Sequence, residues 1–84
     1  MWIVAWLVLA ESCIAVWPEV RYGAVGWNHI VHVQNRCDQT FTCDVSTDVN
    51  PQPQRVTVAP HSEVEVLTFM DSPWRVFTPN VQCK

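Results

Sequence analysis

From Phe41 to Ser46 apolar and polar side chains alternate without a break: Phe41, Cys43 and Val45 on one parity, Thr42, Asp44 and Ser46 on the other. Successive side chains of an extended chain point to opposite faces, so this run predicts a half-buried strand. Residues 29–35 (HIVHVQN) read the same way, with Val31, Val33 and the following Cys37 on one parity. Residues 55–58 and 63–69 predict two more strands, joined by Ala59-Pro60-His61-Ser62. Pro60 pre-sets the first central position of a turn, and His61 tolerates positive φ better than most residues. Val64 and Val66 oppose Glu63 and Glu65, which predicts an antiparallel sheet wetted on one side. Residues 75–77 and 81–84 close the chain. Turn residues separate these runs: Asp38-Gln39-Thr40, the 48–54 loop with Pro51 and Pro53, and Asp71-Ser72-Pro73. No helical i, i+3, i+4 pattern follows the N-terminal segment. The pattern predicts an all-β domain, a small antiparallel β-sandwich (Ig-like or related) of five to six strands.

The N-terminus departs from this alternation. Residues 2–10 (WIVAWLVLA) are continuously apolar, and apolar residues resume at Cys13 after Glu11 and Ser12. That run is short of the roughly 20 residues a membrane span needs. It has the length of a signal-peptide h-region, although no Lys or Arg precedes it. We therefore expect residues 1–15 to form a hydrophobic leader, with Ala15 or Ala10 at the cleavage point. Lipidation of Cys13 is the weaker alternative, because Glu11 stands where that signal takes a small or apolar residue. Residues 16–28 are expected as a packed lead-in, punctuated by Pro18, Gly23 and Gly26 and carrying Trp17, Tyr22 and Trp27. Residues 29–84 would then be the folded domain, secreted or periplasmic, with no membrane span in the mature form.

A chain of 84 residues that loses a leader is left with little core. At that size a core seldom supplies more than about 3–5 kcal/mol, so a covalent staple is expected. Cys37, Cys43 and Cys83 all fall on inward parity. A Cys43–Cys83 bond would stabilise by about 3.9 kcal/mol in the chain-entropy estimate, against about 2.3 for Cys37–Cys43. Cys43–Cys83 is thus the first expectation and Cys37–Cys83 the second. The remaining thiol is left to pair with Cys13 if that residue is retained, to pair between chains, or to stay buried.

Other chemistries find little support. The net charge of −3 comes from 5 basic and 8 acidic residues scattered along the chain, which argues against nucleic acid. Five residues separate Cys37 from Cys43, too many for a zinc-finger pair, and His29 and His32 fall on opposite faces of one strand. No His-Cys-His-Met set suits blue copper, and Asp44, Asp48 and Asn50 lack calcium-loop spacing. No metal or cofactor is expected. Neither Gly-x-Ser-x-Gly, a glycine-rich phosphate loop nor His-Glu-x-x-His occurs, so no enzymatic activity is expected. Glu63 and Glu65 read as ordinary exposed charges that blunt edge-to-edge association.

Four features recur together from residue 27 to residue 84: Asn35-Arg36-Cys37, Cys43 in the next strand, the Thr47-Asp48-Val49-Asn50-Pro51 loop and a final Val81-Gln82-Cys83. In these the chain resembles short secreted cysteine-containing β-domain proteins of bacteria, of the myxobacterial kind, which have no known activity. The resemblance implies a secreted β-sandwich-like domain; it departs at His61, where Gly would be expected after Pro60. The function expected is a secreted non-catalytic module with a structural or binding role toward a protein or glycan partner. Loops on a rigid sandwich carry recognition, which singles out Asn50, Pro51 and Gln52 in one loop and Trp74 and Arg75 in another. The alternative is a small secreted inhibitor or effector that presents the proline-rich loop to an enzyme or envelope component.

Overall fold

The structure, a computed structural model, describes residues 13–84. Six strands form: β1 (Ile14–Tyr22), β2 (Trp27–Asn35), β3 (Phe41–Thr47), β4 (Gln54–Val58), β5 (Ser62–Ser72) and β6 (Pro79–Cys83). They make two three-stranded antiparallel sheets, ordered β1-β2-β5 and β4-β3-β6. This is the A-B-E against C′-C-F order of immunoglobulin-type sandwiches. The sheets meet face to face, with β1 approaching β6 along one side and β4 approaching β5 along the other.

The leader expected over residues 1–15 lies outside the described residues up to position 12. Cys13, Ile14 and Ala15 belong to the fold: Cys13 is bonded to Cys37, and β1 starts at Ile14. The expected lead-in over residues 16–28 is instead most of β1, a tight turn and the start of β2. Register explains why. Val16 and Val20 pair with Val33 and His29 and share the inner parity, while Trp17, Glu19 and Arg21 take the outer one. Pro18 cannot donate to a ladder, and it is tolerated because β1 is an edge strand.

Alternation does the packing. Val31 and Val33 of β2 join Phe41, Cys43 and Val45 of β3, with Val58, Val66 and Phe77, in one buried cluster. Burial of this apolar surface is the main favourable term of folding. Cys43 and Cys83 sit directly opposite each other on β3 and β6, and their disulfide staples neighbours within one sheet. Cys37 pairs with Cys13, not with Cys83, and this bond closes the open end of the β1–β2 hairpin. No described cysteine is free.

Two devices finish the frame. Asn35 is fully buried and its side-chain amide donates to the carbonyls of Gln39, Val58 and Ala59, while its Oδ1 accepts the Cys37 N–H at 2.8 Å. One side chain thereby ties β2 to two loops of the sandwich. At the side where β4 nears β5, Asn50 Nδ2 donates to Thr68 O at 2.7 Å and Gln54 Nε2 to Leu67 O at 3.1 Å. Carbonyls of an outer strand would otherwise stand open to another chain.

Candidate binding surface

Three connections leave the same end of the sandwich: residues 23–26 between β1 and β2, 48–53 between β3 and β4, and 73–78 between β5 and β6. Gly26 allows the first to pack tightly. A Cβ there would lie 2.7 Å from the backbone carbon of Asp71, so any other residue would have to displace β5. Asp71 itself takes φ of 58°, and its N–H donates to Asn28 Oδ1 at 3.2 Å where β2 and β5 slip register. The second and third connections are joined: Asp48 N–H donates to Thr78 O, and Thr78 N–H to Asp48 Oδ1 at 2.9 Å.

His29 fixes the third connection from below. It is fully buried, its ring stacks on Phe77 with centroids 4.3 Å apart, and its Nε2–H donates to Trp74 O at 2.8 Å. That bond sets the tautomer and leaves Nδ1 without a partner among the described residues. Ser72 Oγ accepts the Trp74 N–H at 3.0 Å. With its backbone held at both groups, Trp74 turns its side chain outward, 60% exposed. Arg75 places its guanidinium 5.0 Å from the centre of the Trp27 ring, and Tyr22 meets Trp27 edge-on at 4.9 Å. Tyr22, Trp27 and Arg75 thus form a continuous row. Val25, Met70 and Val76, all exposed, lie on or beside the same connections.

The structure brings the sequence-predicted residues to one end but divides their roles. Trp74 and Arg75 are on the surface; Pro51 and Gln52 are exposed on the neighbouring loop. Asn50 is an anchor: its N–H donates to Thr47 Oγ1 at 2.8 Å, its side-chain amide reaches Thr68 O, and its Oδ1 accepts the Gln52 N–H. In sequence, Tyr22 and Trp27 read as part of a packed lead-in and are not singled out as binding residues. Their signal was two aromatics bracketing a glycine-punctuated turn, which the hairpin register pairs directly.

A second cluster covers the outer face of β1-β2-β5. His32 lies between Glu19 of β1, whose Oε1 is 2.5 Å from Nε2, and Glu63 of β5, whose Oε2 is 3.1 Å from Nδ1. Trp17 stacks parallel over the ring, with centroids 5.1 Å apart. Arg21 bonds Glu19 at 2.7 Å and Glu65 at 3.2 Å. The bonds from Arg21 and then His32 hold the Glu19 carboxyl down at about 2. The Glu19 carboxylate, with Glu63 assisting against burial, holds the His32 imidazolium above the ordinary histidine range. Glu63 and Glu65 are therefore partners in a network, more than the plain exposed charges their strand pattern suggests. Ligand atoms of Glu19, His32 and Glu65 converge within 4.8 Å, a spacing a divalent cation could bridge. Arg21 already bonds both carboxylates, Glu19 at 2.7 Å and Glu65 at 3.2 Å, so the cluster is closed by its own guanidinium.

Among the described residues no helix is long and apolar enough to cross a membrane. Two disulfides point to an oxidising compartment, extracellular or periplasmic. No protein-family model matches the chain, and no curated protein matches it in sequence.

Proposed function

We propose that this is a secreted, non-catalytic binding module that recognises a protein partner through the end bearing Tyr22, Trp27, Trp74 and Arg75. The observation that carries this is the row of Arg75, Trp27 and Tyr22 beside an outward Trp74, on backbone pinned from the core by His29. Trp, Tyr and Arg are the residue types that concentrate binding energy in protein interfaces, and Met is enriched there. Exposed aliphatic neighbours, Val25 and Val76, favour a protein over a glycan, which would need more polar groups around the rings. Preorganised backbone lowers the entropic cost of association. Export fits both the disulfides and the apolar segment at the N-terminus. Of the two cleavage points, the one after Ala10 leaves Cys13 and β1 whole, whereas the one after Ala15 would remove half of a disulfide.

The test is affinity capture on immobilised oxidised protein from the envelope and culture fractions of an exporting host, repeated with Trp74→Ala and Tyr22→Ala. A partner retained by the parent and weakened at least about tenfold by each variant is expected for residues at an interface centre. Undiminished capture by both variants would refute the assignment. Exposed Pro51 and Gln52 on an anchored loop favour a second reading, the presentation of that loop to an enzyme. Loss of hydrolase inhibition in Pro51→Ala and Gln52→Ala, but not in Trp74→Ala, would select it.

A further inference from the structure

His32 stands on the central strand of its sheet and meets a carboxylate on each neighbour, Glu19 on β1 and Glu63 on β5. An imidazole can donate from both nitrogens only as the imidazolium. Once neutral, it must turn a lone pair toward one of the two carboxylates. We propose that His32 is a proton-operated clamp on edge strand β1, joining β1 to β5 across β2 when charged and loosening residues 17–21 when neutral.

The surroundings make this local and directional. The charged groups facing the ring are Glu19 and Arg21 from β1 and Glu63 and Glu65 from β5; β2 adds none on that face. Three carboxylates oppose two cations while His32 is charged, and one cation afterwards, so the local charge goes from −1 to −2. The stacked Trp17 ring also gains its cation–π attraction only from the charged ring. β1 is the strand able to respond: its backbone pairs only with β2 within its sheet, Pro18 interrupts its donors, and once His32 is neutral the described tie from β1 across to β5 is reduced to the half-exposed Arg21–Glu65 pair. Release stops at the far end, where the Cys13–Cys37 bond holds the hairpin together. Tyr22 ends β1, so loosening would also shift its contact with Trp27 and couple the clamp to the proposed binding surface. Only that last consequence rests on the binding proposal.

The experiment is ¹⁵N NMR of the oxidised chain from about pH 5 to about pH 9.5, spanning the ordinary histidine range and above it. It follows the His32 ring nitrogens, the amides of residues 17–21 and the Trp17 indole N–H together, in the parent, Glu63→Gln and His32→Gln. The ring is expected to titrate above the ordinary histidine range. The β1 amides and the Trp17 indole should shift, and their heteronuclear NOE fall, with the same midpoint. Glu63→Gln, which keeps shape and removes one charge, should lower that shared midpoint by about one pH unit. His32→Gln should lack the transition. Should His32→Gln not fold, the coincidence of midpoints in the parent and their joint displacement in Glu63→Gln carry the test. The clamp is overturned if β1 stays unchanged while the ring titrates, if the transition persists in folded His32→Gln, or if Glu63→Gln leaves the midpoint in place.

Discussion

The two ends of this sandwich treat their polar and apolar groups in opposite ways. At one end the buried Asn35 amide satisfies three carbonyls and an N–H, the Cys13–Cys37 bond closes the hairpin, and Thr42 and Lys84 exchange two backbone bonds. At the other end Trp74, Tyr22, Val25, Met70 and Val76 stand in solvent, and His29 beneath them leaves Nδ1 without a partner among the described residues. Buried polar groups left unpaired and apolar side chains left exposed both cost stability. A small domain that spends on one end what it saves at the other is divided into a sealed end and a contact end.

Mutations should separate the two ends, and the covalent frame sets the scale. Replacing Cys43 and Cys83 together by Ala should cost about 4 kcal/mol, and replacing Cys13 and Cys37 about 3.5, read as shifts of the urea midpoint. A loss well under about 1 kcal/mol for either would mean the unfolded chain gains little freedom when that loop opens. Next comes the sealed end. Asn35→Ala removes the side chain that bonds three carbonyls and one N–H, of which the bond to the Val58 carbonyl is fully buried, and should lower stability by about 1–3 kcal/mol in the same assay. The contact end should behave otherwise. Trp74→Ala should stay within about 0.5 kcal/mol of the parent, as exposed positions do, while His29→Ala, which removes the stack on Phe77 and the bond to Trp74 O, should cost about 2–3. Equal losses at Trp74 and His29 would erase the distinction between the surface and its support.

The smallest effect is expected from pH, and it has two signs. His32 holds its proton more tightly folded than unfolded, so its contribution is complete below its ordinary value of 6.5 and is lost as pH rises through the raised folded value. Glu19 holds its proton less tightly folded, so its contribution is complete above its ordinary 4.5 and is lost as pH falls toward about 2. Chemical denaturation across pH should therefore show a plateau bounded on the acid side by Glu19 and on the alkaline side by His32. His32→Gln should remove the alkaline decline attributable to this group, and an unchanged decline would assign it elsewhere.

Most of the frame is legible in the sequence, and the reasons for the gaps are specific. Strand β3 announces itself because one face is wet and the other dry, Thr42, Asp44 and Ser46 against Phe41, Cys43 and Val45, whereas the central strand β2 is buried on both faces and shows as a run rich in β-branched residues. β1 is hidden because Trp17 sits on the outer face and Pro18 on the inner one, which scrambles the period. Parity and loop length favour a bond from Cys83 to Cys43 or to Cys37 over the short Cys37–Cys43 loop; the register that sets Cys43 opposite Cys83 is what selects between them. The Cys13–Cys37 bond requires knowing that Cys13 flanks a strand. The candidate surface was half visible: Trp74 and Arg75 lie in a turn, but their alignment with Tyr22 and Trp27 depends on hairpin register and on His29 reaching across to a backbone carbonyl. The His32 network was invisible for the same reason. Its members come from β1, β2 and β5, and only the register of Trp17 and Glu65 against His32 brings them together.

The two disulfides have a mechanical consequence. They enclose separate stretches, one from Cys13 to Cys37 and the other from Cys43 to Cys83, and these do not overlap. A pull between Cys13 and Cys83 is carried through sulfur, then along the short chain from Cys37 to Cys43, then through sulfur again. Those six peptide steps can stretch to only about 20 Å, whatever happens to the hydrogen bonds around them. Nearly all of β1 to β6 lies inside one ring or the other, off the line of force. In its oxidised form the domain is a nearly inextensible link, and only a reductant gives it slack.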